Sequence, residues 1–127
     1  MVQDLLFREE CFQIVGLSMK VHSKLGRGFK EIVYKDALEI EFINNKIPYE
    51  REKPFKIECE NEILRHRFDA DFFVFNSIIL EIKASSQFHP DNFNQTLNYL
   101  KASQVKPGIL TNFGEARLNF KRVICTY

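Results

Sequence analysis

Tryptophan is absent from this 127-residue chain, and no apolar run approaches the roughly 20 residues that a helix needs to cross a bilayer. A membrane partner is therefore not expected. Cysteine is scarce. Cys11, Cys59 and Cys125 are odd in number, far apart and in no C-x-x-C arrangement, which argues for reduced thiols and against a zinc site. Met1-Val2-Gln3-Asp4 has no basic region leading into an apolar stretch, so no secretory signal is read there and the expected compartment is the cytoplasm. An excess of one charge is missing too: 18 Lys and Arg against 17 Asp and Glu leave a formal net charge of +1. No global basic field surrounds the chain, and a polyanion would have to be met by local clusters. The candidates are Arg51 with Lys53 and Lys56, Arg65-His66-Arg67, Lys101 with Lys106, and Lys121-Arg122. Each of these, taken alone, is more simply a solvated strand edge or helix end. Repeats, low-complexity tracts and linkers are also lacking, and the length suits one domain over 1–127.

What is present is a phenylalanine-heavy set of core candidates, 13 in all, distributed over readable elements. Phe7, Cys11, Ile14, Val15, Met19 and Leu25 recur at helical spacing, and Gly26 supplies a stop. A second helix runs from Glu31 to about Asn45, with Ile32, Val33, Ala37, Leu38, Ile40, Phe42 and Ile43 as its apolar positions, and Pro48 enforces the exit. A strand over Tyr49–Glu58 alternates imperfectly. Glu60-Asn61 reads as a hairpin turn into a strand over Glu62–Phe68. Two central strands follow, Asp69–Phe75 and Ile78–Ala84, then a third helix over Asp91–Ala102 capped by His89-Pro90-Asp91-Asn92, and strands over Val105–Asn112 and Arg117–Cys125. The order ααββββαββ predicts an α/β or α+β fold built on a mixed sheet.

The chemistry concentrates on the two central strands. Phe72-Phe73-Val74-Phe75 and Ile78-Ile79-Leu80 read as strands covered on both faces, yet Asp71, Glu81 and Lys83 bracket them. Ionised groups at the edge of so dry a region need compensation. An Asp followed about ten residues later by Glu-x-Lys is a minimal metal-dependent phosphodiesterase constellation, and Glu81-Ile82-Lys83 is the one Glu-x-Lys in the chain. Hard oxygen ligands with an adjacent lysine suit Mg²⁺ or Mn²⁺. The competing structural role is a cross-strand ion pair at the sheet end, worth about 1 kcal/mol or less when exposed. Register supplies a condition. A two-residue Asn76-Ser77 loop would set Asp71 opposite Ile82 and on the wrong face, so a shared metal requires an odd-numbered loop or a bulge, which a left-handed Asn76 could supply.

Three stretches together resemble a known family. Gly28-Phe29-Lys30-Glu31-Ile32-Val33-Tyr34, preceded by Val21-His22-Ser23-Lys24-Leu25-Gly26, is similar to the pattern that names the GxxExxY proteins. Ala70-Asp71 with Glu81-Ile82-Lys83 comes next, and Gln95-Thr96-Leu97-Asn98-Tyr99-Leu100 and Gly108 to Gly114 complete the likeness. That family is classed with the PD-(D/E)XK nucleases, which implies a restriction-endonuclease-like αβββαβ core, a central mixed sheet flanked by helices, here with an extra N-terminal helix. Ala70 stands where the superfamily pattern has Pro. The resemblance implies Asp71 and Glu81 as metal ligands with the Ile82 carbonyl beside them, and Lys83 as the group that serves the attacking water or the phosphate. Glu31 would complete the metal site, Gln95 would assist catalysis, and Gln95 with Tyr99 would contact substrate.

Each of these has a plainer role as well. Glu31 in a first helical turn suits the helix dipole, and Gln95 with Tyr99 suits a polar helix edge. His22, His66 and His89 have no partners at ligand spacing, and Tyr34 reads as core or as a support to the site. The leading expectation is a Mg²⁺-dependent endo- or exonuclease acting on DNA. The alternatives are an RNA or modified-nucleotide phosphodiesterase, and a catalytically inactive module of the same fold that binds nucleic acid or a protein. A homodimer suits so small a domain, although no residue demonstrates one.

Overall fold

The computed structural model describes residues 7–126. Helix α1 (Arg8–Leu25) turns Cys11, Ile14, Ser18, Val21 and His22 inward at three- and four-residue spacing. Met19, expected on that side, is about half exposed, and Ser18 takes the inner position by bonding its hydroxyl to the Ile14 carbonyl at 2.8 Å. Helix α2 (Glu31–Asn44) departs further from expectation. Its buried stripe is Tyr34, Lys35, Leu38, Glu41 and Phe42, while Ile32, Ile40 and Ile43 are exposed. Two charged side chains thus sit on the face that packs, and three isoleucines on the face that does not.

Strand β1 (Tyr49–Phe55) follows, then a small hairpin of β2 (Glu58–Cys59) and β3 (Glu62–Ile63) about the expected Glu60-Asn61 turn, where both residues adopt left-handed φ. The anticipated strand over Glu62–Phe68 is not continuous. Only its first two residues pair, with β2, and Arg65, His66 and Arg67 are exposed and irregular because no alternating apolar set holds them to the sheet. Strands β4 (Phe68–Val74), β5 (Ile78–Lys83), helix α3 (Pro90–Ser103), β6 (Pro107–Asn112) and β7 (Asn119–Ile124) complete the order. The five-stranded sheet runs β1-β4-β5-β6-β7, with β5 and β6 parallel and every other pair antiparallel. A parallel pair needs a crossover, and α3 provides it. The α2-β1-β4-β5-α3-β6 succession is the expected αβββαβ core, with α1 as the extra N-terminal helix.

Two apolar layers sandwich the sheet. Phe72, Val74, Ile78, Leu80 and Ile82 pack with Ile14, Tyr34, Leu38 and Phe42 beneath α1 and α2. Phe68, Ala70, Phe73 and Ile79 pack with Leu100 beneath α3. The memberships show that β4 exchanges faces partway along. Phe68 and Ala70 belong to the α3 side, whereas Phe72 and Val74, of the same parity, belong to the α1/α2 side. Strand β1 exchanges faces as well, between Phe55 and Tyr49. The inversion centres on Glu52 and Asp71, where the ladder passes from Arg51↔Phe72 to Lys53↔Ala70 without a pair between. Glu52 has a φ of 54°, uncommon for a residue with a side chain.

Candidate active site

The β4–β5 turn has three residues, Phe75, Asn76 and Ser77, with Phe75 and Asn76 at φ of 56° and 53°. The closing pair is Val74↔Ile78, and the register continues through Phe73↔Ile79 to Phe72↔Leu80. One step further, Asp71 stands opposite Glu81 rather than Ile82, which is the odd-loop condition met. Main-chain pairing stops there, and the strands fork. The carboxylates take over the abandoned N–H groups: Asp71 N donates to Glu81 Oε2 at 3.0 Å, and Ile82 N donates to Asp71 Oδ2 at 2.7 Å. Backbone donors left at a buried strand end require acceptors, and these side chains supply them.

The remaining Asp71 oxygen, Oδ1, accepts from Lys35 Nζ at 2.9 Å. The same ammonium is hydrogen-bonded to Glu52 of β1. Lys35 is nearly buried, and burial, the largest single influence on it, pulls its pKa down; Glu52 and Asp71 together outweigh that and hold it above its usual value. Glu81 is 4% exposed, and its pKa is pushed up to about 8, first by burial and then by the Asp71 carboxylate. At neutral pH without a cation, Glu81 therefore keeps a proton. Tyr99 is also raised, by burial and then by Glu81 and Asp71, which brings the phenol within the field of this pair. Its ring stacks on Phe68 at 4.0 Å.

Lys83, two residues beyond Glu81 and on the α3 side of β5, donates to Gln95 Oε1 of α3 at a long 3.4 Å. Asp71, Glu81, Ile82, Lys83, Gln95 and Tyr99 are thus drawn together by direct bonds or shared field. Glu31 is not joined to them: it is exposed in the first turn of α2, with no hydrogen bond or ion pair to Asp71, and Lys35 is the α2 side chain that reaches the aspartate. Sequence reasoning missed Lys35 and Glu52. Among the described histidines, His22 bonds the Glu115 carbonyl at 2.9 Å and His89 caps α3, so neither belongs to this centre.

Two of the motifs serve as supports. Tyr34 is fully buried, donates its hydroxyl to the Gly26 carbonyl at 2.6 Å and accepts from Phe29 N at 3.2 Å, which clamps the turn that launches α2 and hence sets Lys35. Asn112, also fully buried, bonds both the N–H and the carbonyl of Ser85 at 3.0 Å, while Phe113 N donates to the Lys83 carbonyl at 2.8 Å. Gly114 closes against Ser85 so tightly that a Cβ would lie 2.3 Å from the serine oxygen. These contacts fix the end of β5 from which Lys83 projects. A cavity of about 570 Å³ lies elsewhere, between α1 and the β6–β7 edge, lined by Phe12, Val15, Met19 and Phe120 and by none of the site residues. It is mostly apolar, with Arg8 and Arg122 also in its lining.

A family model described as the PD-(D/E)XK nuclease superfamily matches residues 8–123. The chain belongs to the PD-(D/E)XK nuclease superfamily. Among solved structures it resembles the crystal structure of SSO0001, with a TM-score of 0.58 and 20% identity over 75% of this chain and 50% of that one. That likeness is one of fold, and this chain spans about half the length of that protein. No curated protein matches the sequence significantly. PD-(D/E)XK nucleases generally use divalent metal ions.

The donor set suits such an ion. Asp71 and Glu81 offer hard oxygens from opposed strands, and a cation would favour the ionised Glu81 against the burial and the Asp71 charge that hold its pKa up. No group of three His, Cys, Asp or Glu among the described residues could hold an ion together. Mg²⁺ needs no such cage, since it is often bound by one or two carboxylates and keeps several waters. Among the described residues, no helix is long and apolar enough to cross a membrane.

Proposed function

We propose that this chain, a PD-(D/E)XK nuclease of GxxExxY type, hydrolyses phosphodiester bonds in DNA with Mg²⁺ or Mn²⁺ held by Asp71 and Glu81 and the Ile82 carbonyl beside them. The observation that carries the reading is the opposed Asp71–Glu81 pair at the strand fork, with Lys83 on the same strand two residues on. The bound ion would supply a more acidic water and offset phosphate charge. In this reading Lys83 steadies the attacking water or the charged phosphorane, and its 3.4 Å contact with Gln95 of α3 supports a part for both. Tyr99 and Gln95 line the approach on the α3 side. Arg65, His66 and Arg67, exposed and in no ion pair among the described residues, lead directly into β4. At about 3.3 Å per residue, Arg67 lies roughly 13 Å along the chain from Asp71, near enough to hold backbone phosphates beside the scissile one.

A second reading, an inactive module of the same fold that binds nucleic acid or a protein, is favoured by Lys35. Its ammonium already balances Asp71, so the site is electrostatically supported without any metal. Nicking of supercoiled DNA with Mg²⁺, Mn²⁺ or chelator, alongside single-stranded DNA and RNA, separates the readings. Divalent-dependent cleavage that Asp71→Asn abolishes supports the nuclease. Binding without cleavage of any substrate leaves the module.

A further inference from the structure

We infer that Lys35 is the resident counter-cation of the Asp71–Glu81 centre: a divalent ion takes Asp71 from its ammonium, and Glu52 receives the ammonium it displaces. This rests on the metal-binding reading above and adds to it a competitor and an exchange partner from the chain itself.

Three observations carry it. Lys35 occupies a position on the buried stripe of α2 that an apolar residue would ordinarily fill, and it is 7% exposed, so its charge is sustained only by its partners. Its Nζ lies 2.9 Å from Asp71 Oδ1, on the carboxylate that a metal would need, so ammonium and ion compete for the same charge. Its second partner, Glu52, stands where β1 and β4 both exchange faces, in a left-handed backbone that is strained at a residue with a Cβ.

A plain structural ion pair needs one acceptor, and Asp71 would suffice. Glu52 provides a second, about half exposed at its side chain, so the ammonium can leave Asp71 without being stranded in a dry interior. The pair of carboxylates therefore gives Lys35 two stations, one shared with the metal site and one outside it. In the metal-free chain the lysine spans both.

Competition predicts the sign of the effect. Lys35→Met should tighten Mn²⁺ binding about tenfold or more, a coupling of ordinary size between two cations that share a carboxylate. The same variant should lose stability without metal and regain more of it on adding Mn²⁺ than wild type does. A merely structural lysine predicts the reverse, because loss of its anchor would let Asp71 wander and weaken the ion.

The experiment is Mn²⁺ titration calorimetry on wild type and Lys35→Met, with Mg²⁺ titration of wild type followed by the side-chain ¹⁵N resonance of Lys35. Tighter binding by the variant, and a Lys35 resonance that moves in step with Mg²⁺ occupancy, support the exchange. Unchanged or weaker binding by a folded variant, or a resonance that stays fixed through saturation, overturns it while leaving the metal site standing. If Lys35→Met does not fold, the wild-type resonance decides alone. If neither protein binds any divalent ion, the metal reading itself fails and the exchange with it.

Discussion

Asp71 and Glu81 hold each other's strands: the Glu81 carboxyl accepts the Asp71 N–H at 3.0 Å, and the Asp71 carboxylate accepts the Ile82 N–H at 2.7 Å. Acidic side chains thus stand in for ladder carbonyls where β4 and β5 part. The arrangement keeps two carboxyl groups face to face in a buried place, and its consequences are electrostatic.

The first consequence is an inverse dependence of stability on pH. Glu81 titrates near 8 in the folded chain against 4.5 ordinarily, so between those values the native state holds a proton that the unfolded state has lost. Its stabilising contribution is complete below about pH 4.5 and drains away as pH rises through 8, on the order of a few kcal/mol in all. Urea unfolding across this range in chelator should show the decline. A divalent ion favours the carboxylate, so its binding at neutral pH should expel close to one proton, visible as a binding heat that varies with buffer ionisation enthalpy. Stability that is flat or rising over the window would contradict the protonation of Glu81.

Lys83 touches Gln95 and no carboxylate at hydrogen-bond distance. Lys83→Ala should unfold within about 0.5 kcal/mol of wild type, as surface substitutions usually do, while DNA nicking falls by about 10²–10⁴-fold. A variant that cleaves as fast as wild type would remove Lys83 from the chemistry.

Turn length sets the register of the site. Ser77→Gly, which makes a two-residue Asn-Gly turn sequence that favours Phe75↔Ile78 as the closing pair, would shift β4 against β5 by one residue and bring Ile82 opposite Asp71. The expected result is loss of divalent binding, read by calorimetry, in a protein that is also less stable because the Phe72 and Leu80 faces are mismatched. Retained binding would show that the fork does not depend on the odd turn.

Gly114→Ala tests the support beneath Lys83. The new Cβ would meet the Ser85 backbone at 2.3–2.6 Å, and backbone cannot swing aside as a side chain does. A loss of about 1–3 kcal/mol or more is expected in urea unfolding, the cost of overpacking a tight contact. A variant as stable as wild type would mean that the Asn112–Ser85 clasp is looser than its geometry.

Much of the fold was legible because local rules govern it. Asn61 and Asn76 tolerate left-handed backbone, Pro48 and Gly26 end helices, and His89-Pro90 starts one, so turns and boundaries follow from the residues themselves. Asp71, Glu81 and Lys83 were legible because charge beside an apolar run is costly. Lys35 was not, since a lysine in an amphipathic helix is ordinarily read as surface. Its spacing from Leu38 and its place beside Tyr34 set it on the buried stripe, and the three outward isoleucines of α2 are the compensating sign. Glu52 was hidden for a related reason. The imperfect alternation of Tyr49–Glu58 marks the face exchange, and period-two reasoning assumes that a strand keeps one face throughout.

The most direct test of the account is anomalous scattering from crystals soaked in Mn²⁺. The account predicts one peak between Asp71 and Glu81, with an oxygen of each carboxylate at about 2.0–2.2 Å, close to the usual Mg²⁺ distance. No peak at saturating Mn²⁺, with Glu81 still accepting from Asp71 N and Lys35 still on Asp71, would contradict the assignment of this fork as a metal-dependent nuclease centre.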